Sequence, residues 1–208
     1  MPDGVLVFDV DGTLVDSAPD ILAAVRYSFS AIGLPDPDPV AVRAAIGLPL
    51  AGLLSVLAPA DRAEELSEHY RAYYAEHLLD RSQLYPGVAE ALAGLSRHYR
   101  LAVATNKRAS NAYRLLSGLG VLPHFCALVG ADQLPPKPAP HTVRRAVAAS
   151  RGRGLWMVGD SPQDILAGRA AGLRTYGVVW DHPVERLLSV RPDILGRDLH
   201  HLVELLLE

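Results

Sequence analysis

The sequence predicts an α/β fold, a doubly wound, Rossmann-like parallel sheet with a helical cap domain inserted after the first strand. Two observations predict it. Short apolar runs rich in Val and Leu alternate with amphipathic stretches between about residues 100 and 180, which is the order strand, helix, strand, helix. The first and second apolar runs are also separated by far more than the roughly dozen residues that a crossover between parallel strands needs. This long separation indicates an inserted domain.

Five apolar runs are predicted to be strands. They are residues 5–8, 101–104, 127–129, 155–158 and 175–179. Each run is continuously hydrophobic and does not alternate with polar residues, which is typical of strands covered on both faces in a parallel sheet. The amphipathic stretches predict helices at residues 87–98, 109–119, 139–150 and 163–172.

The segment between the first two strands is predicted to be helical. Residues 19–33 and 60–79 have helical spacing, and the prolines of the LPDPDP segment end the first of these helices. We therefore expect an α/β core domain formed by residues 1–15 and 85–208, and a helical cap domain formed by residues 16–84.

Composition excludes several classes of protein. The 208 residues include 20 basic and 23 acidic side chains, and a net charge of −3 does not suit nucleic-acid binding. The single cysteine, Cys126, cannot form an internal disulfide, so a reducing compartment is expected. No signal-peptide pattern and no apolar run of about 18–20 residues is present. We expect a cytoplasmic protein without a membrane partner, and no pattern indicates a particular oligomeric state.

Two acidic residues follow the first predicted strand. Asp9 and Asp11 are two residues apart and project to the same side, and Gly12 then permits a sharp turn. Carboxylates this close repel each other and need a cation or a proton between them. The alternative is a pair of aspartates that only cap a turn or a helix.

A second acidic pair follows the fourth predicted strand. Asp160 and Asp164 bring four acids to one edge of the sheet, and hard oxygen ligands of this kind suit Mg²⁺. Capping of the next helix by Asp160 or Ser161 is the simpler alternative.

Polar groups of a different kind follow the second and third strands. Thr105 and Asn106 open a helix whose free N–H groups could hold an anion, although for Asn106 taken alone an ordinary cap is the favoured interpretation. Lys137 lies among four prolines, which fix its direction, and its ammonium could hold both a carboxylate and a phosphate oxygen. The chain has 18 arginines and only two lysines, and we expect the other one, Lys107, to be a helix-start residue near the substrate entrance.

Four motifs in this order resemble those of the haloacid-dehalogenase-like superfamily of phosphatases. They are DVDGT at 9–13, Thr105, Lys137 and GDSPQD at 159–164. The longer segments are most similar to the phosphoglycolate phosphatase branch, namely DVDGTLVDSAPD at 9–20, TNK at 105–107 and KPAP at 137–140. The helical insert matches the mobile cap of this superfamily.

The resemblance implies a catalytic role for four residues. Asp9 would attack the phosphorus of a small phosphorylated metabolite, such as phosphoglycolate, and form an aspartyl-phosphate. Asp11 would protonate the leaving oxygen and then deprotonate the attacking water. Thr105, the backbone amides near Asn106, and Lys137 would bind the transferring oxygens.

The resemblance also implies a Mg²⁺ cofactor. Its ligands would be Asp9, the backbone carbonyl of Asp11 and Asp160. Asp164 belongs to the same acidic cluster and would mostly orient waters or Lys137.

Three other functions are compatible with this fold. A sugar-phosphate mutase of this type carries a histidine where this chain has Ile21, and a haloacid dehalogenase lacks the second acid that Asp11 supplies. A non-catalytic binding protein would have no reason to keep clustered acids that destabilise the empty fold. We therefore favour the phosphatase.

The cap contains an aromatic stripe. Tyr70, Tyr73, Tyr74 and His77 have helical spacing, which predicts packing within the cap in preference to a binding surface.

Overall fold

The computed structural model describes residues 3–132, 134–180 and 184–207. Its strands are β1 (Gly4–Phe8), β2 (Val15–Asp16), β3 (Gln83–Leu84), β4 (Arg100–Ala104), β5 (Phe125–Val129), β6 (Arg153–Gly159), β7 (Arg174–Val178) and β8 (Ile194–Gly196). Its helices are α1 (Ala18–Ala31), α2 (Pro39–Ala45), α3 (Leu50–Leu57), α4 (Ala63–His77), α5 (Val88–Leu95), α6 (Ala109–Gly118), α7 (His141–Ser150), α8 (Pro162–Ala170), α9 (Glu185–Val190) and α10 (Leu199–Leu207).

Six strands form one parallel sheet in the order β5-β4-β1-β6-β7-β8. The chain moves outward from β1 through β4 to β5, then returns to the centre at β6 and moves outward on the other side. This is the doubly wound arrangement that the sequence predicts, and the fold class is confirmed. The direction reverses between β1 and β6, and open α/β sheets bind ligands beyond the carboxyl ends of strands at this switch point.

The five predicted strands correspond to β1, β4, β5, β6 and β7. The short edge strand β8 is additional, as is the two-residue antiparallel ribbon of β2 and β3, which joins the two connections to the inserted helices. Neither was predicted, because runs of two or three residues carry no periodicity.

Both faces of the sheet are buried, which explains the continuous apolar runs. In β1, Val5 and Val7 pack with α7 and α8, whereas Leu6 and Phe8 join a larger cluster on the opposite face. The larger cluster continues into the inserted helices through side chains such as Phe29.

The segment between β2 and β3 contains four α-helices and one short 3-10 helix (Ala60–Arg62), and α1 packs along α4. We call α1–α4 with their connections the cap, and the sheet with α5–α10 the core; the domain boundaries at residues 16 and 84 stay a prediction. Among the described helices, none has the length and apolarity needed to cross a membrane.

Candidate active site

The candidate site lies at the switch point of the sheet. Asp9 follows β1, Asp160 follows β6 and Thr105 follows β4, so three neighbouring central strands bring polar residues to one edge. The backbone continues the ladder at this edge, since Asp9 N donates to Val158 O at 3.0 Å and Thr105 N donates to Val129 O at 3.0 Å. Both side chains are buried.

Three carboxylates converge there. Oxygens of Asp9, Asp160 and Asp164 lie within 4.8 Å of one another. Gly12 lets the chain turn beside them, because its φ is +78° and a Cβ at this position would lie 2.2 Å from Asp160 Oδ2. Thr13 Oγ1 donates to Asp160 Oδ1 at 2.7 Å, which orients this carboxylate.

Lys137 supplies the positive charge of the cluster. Its Nζ lies 2.8 Å from Asp9 Oδ1 and 2.6 Å from Asp164 Oδ1, and it donates to Ala104 O at 2.8 Å. Burial alone would lower the pKa of Lys137, but the charges of Asp164 and Asp9 raise it to about 12. The two carboxylates therefore favour the charged form of this buried side chain.

Asp164 is fully engaged by the protein. While its Oδ1 contacts Lys137, its Oδ2 accepts hydrogen bonds from Ser161 N at 3.1 Å and Ser161 Oγ at 2.6 Å. Ser161 is the N-cap residue of α8, so the helix start and the lysine are fixed by one carboxylate.

The negative charge of the remaining two carboxylates, Asp9 and Asp160, is only partly offset. Burial, reinforced by the charge of Asp164, raises the pKa of Asp9 to about 6 even though Lys137 opposes this rise. Burial and the charges of Asp164 and Asp9 raise the pKa of Asp160 well above its usual range. Asp9 Oδ1, despite its ion-pair contact with Lys137, has no well-directed hydrogen bond from any residue that the structure describes. Enclosed carboxylate oxygens with spare acceptor capacity fit a hard divalent cation such as Mg²⁺.

Asp11 lies in a different environment, facing the cap. Its Oδ1 accepts a hydrogen bond from Ser17 Oγ at 2.5 Å and lies 3.0 Å from Lys107 Nζ. Lys107 Nζ also donates to the Tyr74 hydroxyl of α4 at 2.8 Å. Lys107 precedes α6 as expected, but its side chain is only 6% exposed and contacts a site residue directly. The rarity of lysine in this chain was the available signal for that role.

Asn106 uses its side chain to join two loops. Its Nδ2 donates to Gly47 O at 2.8 Å and to Lys137 O at 3.2 Å, and its Oδ1 accepts from Lys137 N at 2.8 Å. The amide is thus occupied by protein groups. Its backbone N–H, at the start of the loop that leads into α6, forms no hydrogen bond with any described residue.

Some of these residues line a cavity of about 80 Å³ between cap and core. The core side is polar and includes Asp9, Asp11, Thr105 and Lys107, whereas the cap side is mainly apolar and includes Ile21, Ile46, Leu48 and Leu53. Tyr74 and the adjacent Tyr70 are buried and stack on each other with ring centroids 5.3 Å apart, as the predicted packing requires, but both also line this cavity.

Comparison with known proteins identifies the family. The model of the haloacid dehalogenase-like hydrolases matches residues 6–178. The chain belongs to this family. The predicted resemblance is therefore confirmed, and the helical cap between the first two motifs of this haloacid dehalogenase-like hydrolase is the insert that the sequence indicates.

Several relatives are similar over most of their length. A probable phosphatase IndB of Dickeya dadantii is 34% identical, covering 91% of this chain and 87% of the relative. A phosphoglycolate phosphatase of Chromobacterium violaceum is 37% identical over 83% of each. Among solved structures, a haloacid dehalogenase-like hydrolase from Streptococcus pneumoniae has a TM-score of 0.89 at 27% identity, covering 97% of each chain.

Proposed function

We propose that the protein is a Mg²⁺-dependent phosphatase that hydrolyses a small phosphate monoester through an aspartyl-phosphate on Asp9. The observation that carries this proposal is the buried ion pair of Asp9 and Lys137, in which Asp9 also lines the cavity, with Asp11 two residues further along the chain. A nucleophile, a fixed cation and an acid–base group are the parts that phosphoryl transfer to an aspartate requires.

In the first half of the reaction, a carboxylate oxygen of Asp9 forms a bond to phosphorus while the ester P–O bond breaks. Asp11 gives a proton to the leaving oxygen. Lys137, the Thr105 hydroxyl and the backbone N–H of Asn106 hold the oxygens of the transferring group and stabilise the charge that develops on them.

In the second half, Asp11 takes a proton from a water molecule that attacks the same phosphorus. The new P–O bond forms as the bond to Asp9 breaks, so inorganic phosphate is released and both carboxyl groups return to their starting states. Asp164 contributes indirectly, because its contacts with Lys137 and Ser161 fix the direction of the ammonium group.

The metal would be held by Asp9, Asp160 and the backbone carbonyl of Asp11. When bound, Mg²⁺ supplies positive charge that offsets repulsion between the anionic nucleophile and the anionic substrate. The raised pKa values of Asp9 and Asp160 support this assignment, since they mark enclosed carboxylates that a cation would relieve.

Phosphoglycolate or a monoester of similar size is the proposed substrate. Two relatives that carry the name phosphoglycolate phosphatase, from Chromobacterium violaceum and Mesorhizobium japonicum, are 37% and 34% identical to this chain. The small cavity supports a small leaving group. Ile21 lines this cavity with a side chain that cannot accept a proton, which supports hydrolysis over a mutase reaction.

The test is phosphate release from a panel of esters that includes phosphoglycolate, sugar phosphates and pyrophosphate. We expect steady release of inorganic phosphate, with the highest kcat/KM for a small monoester. Asp9→Asn should abolish turnover, and Asp61→Asn, at an exposed position of the cap, is the matched control that should not. An active Asp9→Asn enzyme would show that the nucleophile is wrong, and phosphate retained on a sugar would indicate a mutase.

A further inference from the structure

Two consecutive residues after β4 connect the cap to two different groups of the site. We propose that Asn106 and Lys107 are positioning residues through which the docked cap aligns Lys137 and Asp11 for reaction. The proposal rests on the proposed function, because it assigns Lys137 and Asp11 the roles given above. It adds that the cap takes part in catalysis through hydrogen bonds to the core, in addition to covering the cavity.

The first connection runs through the side-chain amide of Asn106. Its Nδ2 donates to the carbonyl of Gly47, in the connection between α2 and α3, and to the carbonyl of Lys137, while its Oδ1 accepts from Lys137 N. Only a carboxamide offers donors and an acceptor together in this way. Gly47 approaches the core closely, since its φ is +95° and a Cβ there would lie 3.1 Å from Ser161 Cβ.

The second connection runs through the ammonium group of Lys107. It bonds the Tyr74 hydroxyl on the cap at 2.8 Å, and its contact with Asp11 Oδ1 is 3.0 Å long. Burial raises the pKa of Tyr74 well above its usual range, so the hydroxyl is neutral and accepts the hydrogen bond. The ammonium lies 4.6 Å from the centroid of the same ring, which adds a cation–π contact.

Adhesion of the cap does not explain these contacts. The cap is already joined to the core by a continuous hydrophobic cluster and by hydrogen bonds from Arg186 Nη1 to Ala44 O and from Arg114 Nη1 to Ala75 O. None of those four residues contacts a proposed catalytic group. Burying the Lys107 ammonium costs desolvation energy that an apolar contact would avoid. Asn106 and Lys107 differ from these contacts because each also bonds a proposed catalytic residue. Asn106 bonds Lys137, and Lys107 bonds Asp11.

The consequence is that the site is aligned only while the cap is docked. Movement of the cap away from the core would remove the Gly47 and Tyr74 ends of the two connections, and Lys137 and Asp11 would each lose a restraint. The loss should appear in kcat more than in KM, because small misplacements of reacting groups affect the chemical step.

The decisive variant is Tyr74→Phe, with Tyr70→Phe as its matched control. Both remove one hydroxyl from the cavity side of α4, but only the Tyr74 hydroxyl bonds a described residue of the core. We expect Tyr74→Phe to lower kcat about tenfold while KM changes less than about twofold. The Tyr74→Phe/Lys107→Met double variant should lose no more than Lys107→Met alone, because both substitutions break one connection. Equal kcat values for Tyr74→Phe and Tyr70→Phe would overturn the proposal.

A second readout does not depend on turnover. The chain contains only two lysines, so labelling lysine with ¹³C at Cε gives two NMR signals, and Lys107→Met assigns them. Tyr74→Phe should shift the Lys107 signal, Asn106→Ala should shift the Lys137 signal, and Tyr70→Phe should shift neither. A Lys107 signal in the wild type with the position and line width of free lysine would contradict the proposal. If these shifts appear but no phosphate ester is hydrolysed, the phosphatase assignment fails and the connections stand.

Discussion

Aspartates at the two edges of the sheet have pKa values shifted in opposite directions. At the amino-terminal edge, Asp193 Oδ2 accepts hydrogen bonds from Thr175 N at 2.8 Å and Thr175 Oγ1 at 2.7 Å, and these bonds lower the pKa of Asp193. At the carboxyl edge, burial and a neighbouring carboxylate raise the pKa of Asp9 to about 6. Ionisation of Asp193 therefore stabilises the folded state, whereas ionisation of Asp9 destabilises it.

This difference distinguishes structural acids from functional ones within a single fold. The carboxylate of Asp193 accepts hydrogen bonds from the neighbouring strand, and these donors are enough to stabilise its charge. Asp9 and Asp160 are enclosed with too few donors, an arrangement that costs stability unless a cation or a substrate uses it.

Substitution of Lys137 should have the largest effect on activity. Lys137→Met leaves Asp9 and Asp164 without their cation, and Lys137→Arg places a planar guanidinium in a pocket that fully encloses an ammonium. We expect kcat to fall about 100-fold or more in both variants. Arg145→Lys, the reverse exchange at an exposed position of α7, is the control and should leave kcat unchanged. A fully active Lys137→Arg enzyme would contradict the role of this residue.

Removal of a carboxylate from the cluster should stabilise the metal-free protein at high pH. Because the pKa of Asp9 is raised from 3.8 to about 6 on folding, the folded state binds more protons, and stability falls as the pH rises between these values. The loss from Asp9 is about 2–3 kcal/mol. Asp160→Asn reduces the repulsion, so its melting temperature in chelator should exceed that of the wild type at pH 8 but not at pH 4.

The same variant tests the metal site without an activity assay. Mg²⁺ should raise the melting temperature of the wild type at pH 8 and should have little effect on Asp160→Asn. An equal Mg²⁺ response in the two proteins would place the cation elsewhere.

Removal of the structural acid should have the smallest effect. Asp193→Asn weakens the hydrogen bonds to Thr175 and should lower the free energy of unfolding by about 1 kcal/mol at pH 7, with kcat unchanged. Since the folded pKa of Asp193 is lowered, its contribution is present above the unfolded pKa and is lost as the pH falls through the folded value. Urea unfolding at pH 7 and pH 3 measures both effects on stability. A loss of kcat in Asp193→Asn would contradict a purely structural role for this acid.

Much of the fold was predictable because its cause is local. Continuous apolar runs identify strands covered on both faces, and the long gap after β1 identifies an insert. The residues of the candidate site could be selected in the same way, because Asp9, Thr105 and Asp160 all follow strands whose carboxyl ends must meet. Strand β8 was missed because three residues are too few to show a pattern.

The contacts of Asn106 and Lys107 were not predictable, because they depend on where the cap docks. Gly47 and Tyr74 are distant from them in sequence, and no periodicity relates the two regions. The backbone amides near Asn106 were expected to bind phosphate, whereas the contacts of its side chain with the cap and Lys137 were not predicted. For Lys107, the available signal in the sequence was the rarity of lysine, since a chain with 18 arginines uses lysine at two positions.

The central claim is that Asp9 carries the phosphoryl group during turnover. The direct test is to quench the reaction during turnover, reduce acyl phosphates with borohydride and examine the peptide containing residue 9 by mass spectrometry. We expect conversion of Asp9 to homoserine, dependent on substrate and absent when substrate is omitted. An unmodified Asp9 in an enzyme that is releasing phosphate, or homoserine at Asp11 in its place, would contradict it.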